Sequence, residues 1–229
     1  MTSRIGLVGT LGAAILLLIA ALLLIAAAPA RAGAQDRRLD RMPDAARAQV
    51  EAIVAAARAN GLPAEPLVDR ALEGAAKGAP PALIVTAVTR LRDELATARR
   101  AFGDGATPAE LAAGASALRA GATSADLGEL RRRRGGQPLT VAAAVLADLV
   151  ASGVPADTAV GAVLAIADDA NDADYIAFRR NVQRDIALGA SPAAALGVRL
   201  RGFESTTAAD APLTQGQGNV TIARPPRKP

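Results

Sequence analysis

The 229-residue chain has no cysteine, no histidine and no tryptophan, and its aromatic residues are confined to Phe102, Tyr175, Phe178 and Phe203. Without cysteine there is no disulfide framework, no thiolate nucleophile and no Cys-ligated metal. Without histidine there is no imidazole base, no serine triad of the usual kind and no imidazole metal ligand. Catalysis would have to rest on carboxylates, Lys77, Lys228, Tyr175 or hydroxyls, and the sequence implies no cofactor and no metal. Carbohydrate and single-stranded nucleic-acid sites are built on aromatic stacking platforms, which the first hundred residues lack altogether.

Charge of one sign is also scarce. The chain carries 26 Lys and Arg against 22 Asp and Glu. Setting aside residues 1–32, which hold Arg4 and Arg31 and no acids, leaves a net charge of about +2. A nucleic-acid binder would show a basic stripe or a domain-wide excess, so no nucleic-acid partner is expected.

What is present begins at the N-terminus. Arg4 is followed by an unbroken apolar run from Leu11 to Ala28, then Pro29 and Ala30-Arg31-Ala32. A basic start, an apolar middle and a small-x-small site predict a signal peptide over 1–32, cut between Ala32 and Gly33. A periplasmic or secreted location follows. The same run is just long enough to span a bilayer, so if residues 11–28 were retained they would anchor the chain in the inner membrane.

The rest of the chain is punctuated by glycine. Gly-x-Pro, Gly-x-Thr or Gly-x-Ser recurs at Gly61, Gly78, Gly105, Gly121, Gly136, Gly153 and Gly189. Glycine takes the left-handed conformation that closes a helix, and Pro, Thr or Ser suits the next first turn. Asn171 is expected to act as one further left-handed stop. Thr107-Pro108-Ala109-Glu110 reads as a capping box, and Thr123-Ser124-Ala125-Asp126 as its weaker relative. Leu67, Ile84, Leu111 and Leu127 each fall early in a helix, where they would anchor it in a core.

These stops and starts predict helices over 44–60, 64–77, 80–101, 108–120, 124–134, 138–152, 156–170, 173–188 and 192–200. Within them the apolar residues follow helical spacing, as in Leu83, Ile84, Val88 and Leu91, and no alternating strand pattern occurs. The fold class is therefore all-α: about nine short helices in successive antiparallel hairpins, forming a bundle or short α-solenoid. Residues 33–42 are expected to be a flexible linker, 43–203 a helical-repeat domain, and 204–229 a disordered tail ending in Arg224-Pro225-Pro226-Arg227-Lys228-Pro229.

Three clusters are candidates for function. Arg131, Arg132, Arg133 and Arg134 end a helix, where one or two cations would satisfy the carbonyl dipoles. Four leave a surplus for contact with an anion or a partner. Asp168, Asp169, Asn171, Asp172 and Asp174 begin like a calcium loop, but Ala173, Asp174 and Arg180 stand where a ligand, the turn glycine and the closing Glu belong, so helix capping is the expected role. Glu65, Asp69 and Glu73 line up on one helix face beside Arg70 and Lys77, which suits a solvated stripe.

The expected function is that of an exported, non-catalytic helical protein presenting a surface to another protein of the bacterial cell envelope or the exterior. The alternatives are an acid-base enzyme acting on a cell-envelope substrate and an inner-membrane-tethered structural protein. A concave cluster of buried carboxylates would favour the enzyme.

Overall fold

Where a glycine stop meets the turn that follows, a short hydrogen-bond pattern repeats along the chain. Leu62 donates to the Ala57 carbonyl at 2.9 Å, Ala79 to Gly74 at 2.9 Å, Ala122 to Ala117 at 3.0 Å, Val154 to Leu149 at 3.1 Å and Ala190 to Asp185 at 3.0 Å. Each bond runs from the residue after the glycine to the carbonyl five residues back, closing the helix end in a Schellman motif. Gly61, Gly78, Gly121, Gly153 and Gly189 all have positive φ, as that closure requires. The expected stop at Gly105 is corrected to Gly103, whose φ is +88°, because the preceding helix ends at Phe102 and the backbone turns immediately after it.

The structure, a computed structural model, describes residues 37–210. The proposed signal peptide, the anchor segment 11–28 and the basic C-terminal run lie outside the described residues. Among the described residues a 3-10 turn at Arg37–Arg41 precedes nine helices: α1 Asp44–Ala59, α2 Glu65–Ala76, α3 Pro81–Phe102, α4 Pro108–Arg119, α5 Ser124–Arg133, α6 Thr140–Ala151, α7 Ala156–Ala165, α8 Asp172–Ala187 and α9 Pro192–Asp210.

Three expected boundaries move. The part of the linker that the structure describes is ordered, with Leu39 and Met42 buried, because both have apolar partners in the core. Helix α7 stops at Ala165 rather than at 170, and residues 166–169 form turns. Helix α9 runs on to Asp210, through the start of the expected tail, with no glycine or proline between Gly202 and its end to break it.

Helix α3 shows how the sequence builds the core. Ile84, Val88, Leu91, Leu95, Ala98 and Phe102 are all buried, and their alternating steps of four and three make one continuous stripe. Each large aliphatic side chain withdrawn from water on that stripe contributes about 1.5–3 kcal/mol. The early anchors Leu67, Ile84, Leu111 and Leu127 are buried as expected. Elsewhere alanine does the packing: α4 is buried through Leu111, Ala113, Gly114, Ala115 and Ala117, which lets it approach α3 closely.

The helices stack in two rows. Helix α3 packs on α5, α5 on α7 and α7 on α9, while α4 packs on α6 and α6 on α8. Contacts of α3 with α4, α6 with α7 and α8 with α9 join the rows, and α1 and α2 both rest on α3. Every extensive contact links an element to the next or the next but one, which is the quasi-one-dimensional order of stacked helical hairpins.

Candidate functional site

The four arginines at the end of α5 point in different directions and meet different fates. Arg132 donates to Glu129 at 3.1 Å, and Arg133 spans Glu129 at 2.7 Å and Asp168 at 3.1 Å. The two guanidiniums hold the Glu129 carboxyl below its ordinary range, Arg133 contributing first. Arg131 is half-buried and makes no hydrogen bond or ion pair among the described residues, though its charge acts on Glu110.

Arg134 is only 1% exposed. Its Nη1 donates to the Ala170 carbonyl at 2.6 Å, its Nη2 to Asp172 at 2.9 Å, and its Nε and Nη2 to the Pro138 carbonyl at 3.2 and 3.0 Å. The guanidinium also lies 5.1 Å from the centre of the Tyr175 ring, in cation-π range. The expectation of an outside anion at Arg134 is therefore corrected: from the end of α5 the fork closes onto the turns that lead into α6 and α8 and onto the first residue of α8. Carbonyls withdrawn from water in such turns need donors, and a guanidinium supplies five in one plane.

Tyr175 completes this node. It is fully buried and its hydroxyl donates to the Val163 carbonyl at 3.0 Å. Burial pushes the phenol up to about 12, against the opposing pull of Arg134. Phe178 and Val182, three and seven residues on, continue the buried face of α8.

The acidic segment is likewise consumed by helix ends. Asn171 accepts from the amides of Ala173 and Asp174, and Asp174 accepts from the amide of Asn171, a complete capping box for α8. The expected left-handed stop at Asn171 is corrected, since its φ is −88° and its ψ is extended: α7 has already ended at Ala165, so Asn171 starts a helix instead. Among the described residues no group of three acidic side chains converges as a metal site. Glu65, bonded to Arg38 at 2.7 and 2.8 Å, and Glu73, bonded to Arg70 at 2.9 Å and Lys77 at 2.5 Å, form an ion-paired surface on α2.

A second buried ionic group had been read only as a cap. Glu110 forms the expected box with Thr107, and its other oxygen accepts the Leu139 amide at 2.9 Å, tying α4 to the first turn of α6. Burial by itself raises this carboxyl, but the Thr107 and Leu139 amides and the Thr107 hydroxyl outweigh it and leave the group below its ordinary value.

The surface features that sequence reasoning missed lie on α3. A groove of about 590 Å³ runs between α3 and α4, lined by Val85, Thr86, Thr89, Asp93, Thr97 and Leu118. A smaller hollow of about 230 Å³ continues it past Leu83 and Arg70. Glu94, between the two, is held by Arg90 at 3.0 Å and Arg119 at 2.5 Å. The only signal was a run of threonines at Thr86, Thr89 and Thr97 on the side of α3 away from its apolar stripe. In comparisons with protein-family models, curated proteins and solved structures, none matches this chain.

Proposed function

We propose that this chain is an exported, non-catalytic helical array that presents the α3 groove to a polypeptide partner in the bacterial cell envelope. The observation that carries the reading is the groove's extent. From Leu83 to Thr97 it follows α3 for about 21 Å at the helical rise per residue, the reach of an extended segment or a short helix. Stacked helical arrays use such extended surfaces for protein recognition. Export rests on the sequence of residues 1–32 alone.

The groove's chemistry favours binding over acid-base work. Glu94, its enclosed carboxylate, has one oxygen on Arg90 and the other on Arg119, so both are already engaged in ion pairs within the protein. The hydroxyls of Thr86 and Thr97 donate to the carbonyls of Ala82 and Asp93 in their own helix; the Thr97 oxygen accepts from Arg100, and the Thr86 oxygen is left as an acceptor along the wall.

A photo-crosslinking residue placed at Thr89, in cells of the native source, tests the proposal. A discrete protein adduct at Thr89 that is absent from the same probe at Asp157, and lost on adding Thr86→Arg, supports it. No adduct, or equal adducts at both positions, overturns it.

A further inference from the structure

We propose that a second groove, between α1 and α3, is a binding site for a small aliphatic carboxylate. The groove measures about 420 Å³, within the range of small-molecule sites. Its floor is made of the buried Ala57 and Leu62 with the half-buried Ala96, and its edge carries the exposed Ala56 with Arg92, Arg99 and Arg100. No ring lines it, so hydrocarbon rather than an aromatic ligand fits the floor.

The three arginines stand at helix spacings of seven and eight, which brings them to one side of α3. Arg99 is fixed: its Nη1 donates to the Asn60 carbonyl at 2.7 Å and occupies the place where a side chain on Gly61 would be. Gly61, with φ +68°, thus leaves room for a guanidinium across the end of α1. Arg92 bonds Asp93 at 2.7 and 2.9 Å, and Arg99 bonds Asp104 at 3.3 Å. Arg100 donates to the Thr97 hydroxyl at 2.8 Å and has no carboxylate partner among the described residues.

Charge decides the ligand class. Two of the three guanidiniums are already ion-paired, Arg92 with Asp93 and Arg99 with Asp104, which leaves the charge of Arg100 over an apolar floor and matches a monoanion with a hydrocarbon body. A phosphate, carrying between one and two negative charges at neutral pH, would bring excess charge beside Asp104 and no hydrocarbon to cover the floor. The existing ion pairs are exposed, Asp93 by 62% and Asp104 by 95%, so a ligand carboxylate displaces them at little cost.

The experiment is calorimetric titration of the full chain with octanoate, with octanamide and inorganic phosphate in parallel. Saturable octanoate binding about fivefold tighter than either control is expected, the scale of a solvent-exposed ion pair. Arg100→Gln, at an exposed position, should weaken octanoate by a similar factor with an unchanged circular dichroism spectrum, and Ala96→Glu should abolish binding. Should Arg100→Gln perturb folding, Ala96→Glu and the octanamide comparison still decide. The proposal is overturned if octanoate binds no better than octanamide or phosphate, or if both variants bind it as the wild type does.

Discussion

Glu110 Oε1 accepts the Leu139 backbone amide at 2.9 Å, so one carboxylate caps its own helix and the helix two places further along the chain.

Glu110→Ala should therefore cost about 1–3 kcal/mol, the penalty for leaving buried amides without an acceptor. The pH dependence follows from the depressed carboxyl. A group whose folded value lies below its unfolded one adds stability that is complete above the unfolded carboxylate range and is lost as pH falls through the folded value. Urea denaturation of wild type and Glu110→Gln should thus show the full stability difference at pH 7 and a shrinking one below about pH 4.3. A constant difference down to pH 3 would show that the carboxylate charge is not what binds Leu139.

Arg134 and Arg131, three residues apart, should respond in opposite ways. Arg134→Ala uncovers the carbonyls of Pro138 and Ala170 and leaves Asp172 without its partner, so a loss of about 3 kcal/mol or more is expected. Arg131→Gln should stay within about 0.5 kcal/mol of wild type. Chemical denaturation of both variants checks the contrast, and equal losses would contradict the assignment of the clamp to Arg134.

Two glycine substitutions test the helix stops. Gly153→Val should lose about 1 kcal/mol or more, because φ is +91° and an added Cβ would come 3.3 Å from Pro192. Gly105→Ala meets open space at a φ outside the left-handed region, so it should be neutral or gain up to about 1 kcal/mol from a stiffer unfolded chain. Thermal melts of the pair distinguish a stop at Gly103 from one at Gly105.

Gly114→Ala sets helix propensity against packing. Alanine gains about 1 kcal/mol within a helix. Its Cβ, however, would sit 2.7 Å from the Phe102 ring and 2.9 Å from the Ala98 Cβ, and a methyl fixed to a neighbouring backbone cannot swing away. Overpacking should win, with a net loss of about 1–2 kcal/mol by denaturant midpoint.

Mature protein recovered from its native compartment should begin at Gly33 if the N-terminal reading is right. Intact mass spectrometry finding the stable species to start at Met1 would favour the membrane-anchored alternative.

The parts of this structure that sequence made legible are local. Helix stops at Gly61, Gly121 and Gly153, the Thr107 box and the anchor at Leu127 depend on neighbours within a turn, and spacing reveals them. The destination of Arg134 depends on Ala170 and Asp172, 36 and 38 residues away, so its surplus charge looked available when it was already spoken for. Asn171 was misread for a related reason: a residue tolerant of the left-handed conformation is also a good N-cap, and only the early end of α7 decides between the two. The grooves on α3 leave no more trace in the sequence than the threonine run of that helix, because they are defined by what α1 and α4 leave uncovered.

Extensive contacts that never reach beyond the next helix but one also have a mechanical meaning. Among the described residues no extensive contact joins the first helix to the last, so tension applied between these two helices is borne in series by successive interfaces. Such a chain lengthens in steps of one hairpin, each yielding at its own force, and recoils by re-stacking on whichever hairpins remain.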